Sequence, residues 1–538
     1  MPNGNNTIND WTIMFFFASD MELSPLTVSQ IKAVKDAGYQ RSTDVFLYFD
    51  SNEPGVPTRL FNVNKSLKKA SKDPTRIGDG ADPYVRSFLH DEIMPNDMVA
   101  AKGKCTATLK QKLTEPDTMN ATEALWNFLG YCQENSPAKH YLLFLVGHGM
   151  VVANDTFLYD EYPRSSITLN DFGNLIRRFT KGISGTGALE LIGLHSCSMS
   201  SIEVAYELRD TARYMIASEG YSYVGSWPYR QLLKKIFNTT EAATKGQPLD
   251  ERTVQTLIQK IYELSLYNAP DFAYSGYSHD LTLCSLDGNK IGRLVERLQQ
   301  LTRILKESLT TDRGKQLILL AHLKSQAFWR DEYTDIYDFC RCLKVICDVT
   351  DSSQKELAGS CQAVMDELEQ RPDGLVVLSD NFGWQYQYAH GLSIYFPWSQ
   401  PLGTVEIDPL NHYQHYSFNR DVRGHSWYSF LDQYWNDTMR APENEDEPPD
   451  FDRIMEVSQS SVLGFPSTFG AYNKPGGGYN KPGGSMAESP CICPSIKNFP
   501  TTVKLGRRVR KVSATPGVMP AFNPTDESSE RGRSRPEE

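Results

Sequence analysis

The sequence predicts an α/β fold: a mainly parallel sheet sandwiched between helices, with helical additions and a disordered C-terminal tail. Three observations carry this. Short apolar runs alternate with helical patterns over the first half of the chain, the signature of a parallel sheet covered on both faces. The 538 residues are 40% hydrophobic and include 27 Tyr and 25 Phe, enough for a large core. Beyond about residue 438 the composition turns to acidic, Pro-rich and Gly-rich segments.

The elements follow in order. "WTIMFFFAS" (Trp11 to Ser19) is a short aromatic apolar run and reads as a buried strand. "SPLTVSQIKAVKDAG" is a helix that Ser24 can cap, Pro25 can open and Gly38 can end. "TDVFLYFD", ending at Asp50, is a second strand. "TEALWNFLGYCQEN" is a helix with Leu125, Phe128 and Leu129 on one face, and "HYLLFLVGHG" is a third strand ending at His148. "TLNDFGNLIRRFTKG" is a helix with Thr168 as its cap. "ALELIGL" is a fourth strand, "SSIEVAYELRD" a helix, and "ARYMIASEG" a fifth strand. The pattern gives a core over residues 1–285 and a mainly helical part over 286–437 in which "GLSIYFPWS" is a late strand. Residues 438–538 form a low-complexity tail in which YNKPGG occurs twice, at Tyr472 and Tyr479.

Composition also excludes function classes. The net charge of −11 argues against nucleic acid as a partner, because phosphate binding needs a basic footprint. The run "KLGRRVRK" (Lys504 to Lys511) reads mainly as a solvated part of the tail, where it could meet an acidic protein partner. No apolar run reaches the roughly 18 residues of a membrane span. The opening "MPNGNNTIND" lacks the regions of a signal peptide, so a cytoplasmic location is expected. The ten cysteines show neither a disulfide framework nor paired CxxC spacing, and no metal or cofactor is expected from them.

Chemistry concentrates at two strand ends. In an open parallel sheet, functional groups gather beyond the carboxyl ends of the strands. His148 follows one strand and Cys197 another. On neighbouring strands they would face each other, and the imidazole could generate the thiolate. Ser200 and Glu203 fit a capping box, whose helix start would lower the thiol pKa. The backbone amides of Gly149 and Cys197 could hold an oxyanion. Taken singly, such a Cys and such a His are more often structural. Together the two readings stand level.

Those residues carry a resemblance. "LLFLVGHG" and "LELIGLHSCSMSSIEVAYEL" resemble the clostripain-like cysteine peptidases, the C11 family of the caspase-like clan. "WTIMFFFASDMEL", "IASEGYSYVGSWPY", "YTDIYDF" and "GLSIYFP" are similar to further family segments in the family's order, from Trp11 to Trp435. The resemblance implies a caspase-like αβα sandwich and an endopeptidase acting on protein or peptide substrates, with His148 as base and Cys197 as nucleophile. It also implies cleavage after Arg or Lys, a two-chain mature form and, in some members, calcium. One departure bears on specificity. Where the family reads Asp-Ala-Cys, this chain reads His195-Ser196-Cys197, which removes an acidic group from the P1 pocket. Strand alternation directs His195 to the same cleft as Cys197. Asp20, Asp50 or Glu219 could stand in for the missing charge, although Asp20 and Asp50 could equally cap their own loops. A maturation cut is expected between His148 and Cys197, at Arg164 in a surface loop or at Lys181. Two alternatives remain: a silent caspase-like binding or regulatory protein, and a metal site using His148, His195 and Cys197.

Overall fold

The computed structural model describes residues 8–19, 24–51, 59–63, 120–400 and 409–438 with breaks of one to three residues, together with 504–505 and 508–509. The tail expected over 438–538 therefore lies almost wholly outside the described residues. Its described part is a pair of antiparallel strands, Lys504–Leu505 and Arg508–Val509.

Along the chain run β1 (Asn9–Ser19), α1 (Ser24–Lys35), β2 (Thr43–Ser51), β3 (Arg59–Asn62), α2 (Ala121–Asn135), β4 (Ala138–Val146), the hairpin β5 (Phe157–Glu161) and β6 (Arg164–Ile167), α3 (Leu169–Ile183) and β7 (Ala188–His195). Then come α4 (Ile202–Glu207), β8 (Tyr214–Ala217), α5 (Tyr229–Thr244), α6 (Glu251–Ser265), α7 (Ala269–Tyr274) and β9 (His279–Ser285). The remainder contains α8 (Gly288–Ser308), α9 (Asp312–Lys324), β10 (Ala327–Phe328), β11 (Tyr333–Asp335), α10 (Ile336–Thr350), α11 (Lys355–Leu368), β12 (Val376–Phe382), β13 (Ser393–Tyr395), α12 (Pro409–His415), α13 (Ser417–Arg420) and α14 (Trp427–Thr438).

An eight-stranded sheet in the order β12-β9-β8-β7-β4-β1-β2-β3 forms the middle layer. Its five central strands, β8-β7-β4-β1-β2, are parallel. The flanking strands β3, β9 and β12 run antiparallel to their neighbours. This is the αβα sandwich expected, extended by three strands that the alternating pattern does not reveal.

Strand alternation sorts the side chains into two cores. On β1, Met14, Phe16 and Ala18 face one core, while Trp11, Ile13, Phe15 and Phe17 face the other. The first core takes α2, α3 and the later helices; the second takes α1, α5 and α6. Thr168 caps α3 as expected, its side chain accepting from Asp171 N. The capping box is shifted: the N-cap of α4 is Ser201, not Ser200, and that helix has six residues. Glu203 Oε1 accepts from Tyr395 N and from the Tyr413 hydroxyl.

Candidate active site

The strands carrying the two candidate residues are neighbours. β4 and β7 pair in parallel with Val146 opposite His195. His148 and Cys197 each lie two residues past these paired ends, at the carboxyl edge of the sheet. The loops beyond the strands touch directly. A Cβ on Gly149 would stand 1.8 Å from the Cys197 carbonyl oxygen and 2.7 Å from its nitrogen. Only glycine lets the loop after β4 lie against the nucleophile loop this closely.

His148 is 2% exposed, its carbonyl accepts from Leu158 N, and its ring lies 6.4 Å from that of Tyr159. Tyr333 steadies the same loop, its hydroxyl accepting from Val152 N and donating to the Met150 carbonyl.

Cys197 lies beyond the end of β7, and Ser198 turns the chain with φ of +55°. The segment after β8 packs against this turn. Ser198 N donates to the Gly220 carbonyl, Ser200 N to the Ser218 carbonyl, and Ser222 N to Cys197 Sγ at 3.3 Å. The expected help from a helix N-terminus gives way to this amide. α4 is short and starts five residues past the thiol, and a helix-end field fades within a turn. An N–H aimed at sulfur favours the thiolate in the same sense. Cys197 is disulfide-bonded.

His195 is not in an open cleft. It is wholly buried, stacked on Trp227 at 4.9 Å, and points into the second core. A carbonyl can only accept, so Nε2 donates to the Tyr223 carbonyl at 2.8 Å, and Nδ1 accepts from the Tyr229 hydroxyl at 2.6 Å. Burial lowers its pKa to about 3, so the ring is neutral. The alternation argument fails at the strand end, because β7 stops at His195 and the turn redirects Cys197. Tyr223 joins the two residues: its carbonyl holds His195 and its ring packs beside Cys197 with Tyr221, Phe272 and Tyr277.

The substitutes for the missing acid are scattered. Asp20 lies outside the described residues. Asp50 is 4% exposed at the end of β2, three strands from β7, or about 14 Å at the usual spacing. Glu219 is fully buried and its Oε2 accepts from Gly391 N, so it faces the interior and not a pocket. The two maturation candidates are not in loops: Arg164 opens β6 of the hairpin, and Lys181 is in the last turn of α3. Among the described residues no group of three or more His, Cys, Asp or Glu is arranged to hold a metal. Sequence reasoning missed Ser222, Tyr223, Trp227 and Tyr229 as parts of the site. Their segment was recognisable, but their roles depend on β8 lying next to β7.

Comparison with known proteins adds three findings. The Clostripain family model of peptidase C11 matches residues 87–435. Clostripain of Hathewaya histolytica is 21% identical over 487 residues, spanning 79% of this chain and 87% of that protein. Two solved structures align over 79% of this chain and 99% of theirs. One is an inactive zymogen C11 protease from Parabacteroides distasonis, 17% identical with a TM-score of 0.46. The other is a secreted C11 cysteine protease from Bacteroides thetaiotaomicron in complex with an irreversible peptide inhibitor, 11% identical with a TM-score of 0.45.

Proposed function

Because the chain belongs to the clostripain family of cysteine-type endopeptidases, we propose that it cleaves peptide bonds with Cys197 as nucleophile and His148 as proton carrier. The observation that supports this most is the parallel β4–β7 register, which sets the strand ends preceding His148 and Cys197 side by side. In the reduced protein the Cys197 sulfur attacks the scissile carbonyl carbon. His148 takes the thiol proton and passes it to the departing amine, and water then releases the acid from the thioester. The amides of Gly149 and Cys197 are the oxyanion donors in this reading.

The P1 preference in this reading is for neutral side chains over Arg and Lys. His195 is neutral and committed to Tyr229 and Tyr223, Glu219 is turned inward, and the described residues packed beside Cys197 are aromatic. We further propose a cytoplasmic setting, in line with the polar opening "MPNGNNTIND".

One observation favours a second reading, a silent binding or regulatory protein: the nucleophile is disulfide-bonded. Reduced wild type, Cys197→Ala and His148→Ala, each mixed with a P1-varied peptide library and read by mass spectrometry, separate the two. Cleavage by wild type and by neither variant is expected. No cleavage by reduced wild type, or full cleavage by Cys197→Ala, overturns the endopeptidase mechanism.

A further inference from the structure

His195 departs from the family pattern and is buried in the second core, yet both of its ring nitrogens are engaged. It ends β7, stacked on the Trp227 indole at 4.9 Å and 8°, with the Tyr229 ring edge-on at 5.7 Å. Nδ1 accepts from the Tyr229 hydroxyl at 2.6 Å. That bond leaves the proton on Nε2, which donates to the Tyr223 carbonyl at 2.8 Å, with Ser226 Oγ 3.2 Å away.

The carbonyl that His195 holds belongs to a turn. Ser226 N donates to the same Tyr223 carbonyl at 3.0 Å, and Gly225 has a φ of +90°. This is the position that a type II turn over 223–226 gives to glycine. Asn268, the N-cap of α7, braces the turn by donating from Nδ2 to the Gly225 carbonyl at 2.9 Å.

The residue just before that turn carries the donor to the nucleophile. The segment after β8 meets the nucleophile turn at every second residue. The Ser218 carbonyl accepts from Ser200 N, the Gly220 carbonyl from Ser198 N, and Ser222 N donates to Cys197 Sγ at 3.3 Å. Ser222 and Tyr223 share a rigid, planar peptide bond, so a displaced Tyr223 carries Ser222 with it. On the opposite side only Ser196, fully buried, separates His195 from Cys197. His195, Ser196, Cys197, Ser222 and Tyr223 thus form a ring closed by two hydrogen bonds, one to the carbonyl and one to the sulfur.

We propose that His195 is a positioning residue for the nucleophile: its Nε2–H holds the Tyr223 carbonyl and thereby aims the Ser222 N–H at Cys197 Sγ. This deepens the endopeptidase reading and rests on Cys197 being its nucleophile. An N–H directed at sulfur favours the thiolate. Where the resembled family carries an acid of the P1 pocket, this chain carries a donor that serves the sulfur.

The test uses reduced protein. Iodoacetamide labelling of Cys197 at pH 7, read by peptide mass spectrometry, needs no turnover. His195→Leu keeps much of the ring's bulk and removes the donor. It should slow labelling about tenfold, the effect of a thiol pKa raised by about one unit. His195→Gln returns an N–H near the Nε2 position and should recover most of the rate. A role limited to packing predicts the opposite sign, because loosening the surroundings of Cys197, 1% exposed, speeds its labelling. In turnover, His195→Leu should lower kcat and leave KM and the order of P1 preference as they were. If His195→Leu does not fold, Gly225→Ala strains the same turn and should also slow labelling; its Cβ meets only the flexible end of Gln30, at 3.3 Å. Gly246→Ala, strained alike at φ of +104° beyond the C-cap of α5 and with nothing within 4 Å, should not. Labelling of His195→Leu at or above the wild-type rate, His195→Gln as slow as His195→Leu, or equal labelling of the two alanine variants would overturn the proposal. So would a loss of activity that depends on P1. If the labelling pattern appears but wild type cleaves no peptide, the endopeptidase reading fails and the positioning role stands. Cleavage by wild type without the pattern means the reverse.

Discussion

Gly149→Ala tests the contact between the two catalytic loops most directly. The new methyl carbon would lie 1.8 Å from the Cys197 carbonyl oxygen, 2.6 Å from its carbon and 2.7 Å from its nitrogen. Contacts below about 3 Å are not tolerated, and every atom met here is backbone, which cannot rotate away as a side chain can. The loops must separate by more than about an ångström. Misplacement of that size at a catalytic centre costs on the order of 100-fold in rate. Overpacking of this kind also costs about 1–3 kcal/mol of stability. Gly292, inside α8, is the matched control, because nothing lies within 4 Å of its added Cβ. Gly292→Ala should stabilise by roughly 0.5–1 kcal/mol through helix propensity and leave the rate unchanged. The assay is kcat/KM on a peptide cleaved by wild type, with a thermal melt of each protein. Wild-type kcat/KM and melting temperature in Gly149→Ala would refute the contact, and with it the juxtaposition of His148 and Cys197.

Further outcomes follow from the same geometry. Peptidase activity should be absent without a thiol reductant and restored by one, since a disulfide-bonded Cys197 has no free sulfur for attack; full activity in oxidised protein counts against Cys197. His195→Asp should leave P1 selectivity unchanged, read from a peptide library at neutral pH, because residue 195 points into the second core. It should destabilise by about 1–3 kcal/mol, because a buried carboxylate cannot satisfy the Tyr223 carbonyl; a shift toward Arg in a folded variant means that residue 195 does read P1. If the chain is cut between His148 and Cys197, mass spectrometry should find the cut after Arg164 and not after Lys181, because cleavage at Lys181 must first unwind α3; a first cut at Lys181 contradicts this.

Local patterning made much of the fold legible. The five parallel strands and their helices are apolar runs and amphipathic stretches, and their physical cause is close at hand: alternation on a strand, one buried stripe on a helix, a cap such as Thr168. The placement of His148 and Cys197 beyond strand ends was legible for the same reason. What no local pattern contains is which strands lie side by side. The order β8-β7-β4-β1 put the Gly149 loop against Cys197 and the 218–222 segment against the nucleophile turn. The inward turn of His195 escaped strand alternation because Ser198, at positive φ, ends the period just where function begins. Glu219 reads as a pocket acid in sequence. Only the folded chain, by bringing Gly391 N from 172 residues away to its carboxylate, leaves it buried and turned inward. Burial and pairing of charges are non-local, so the tertiary structure alone decides them.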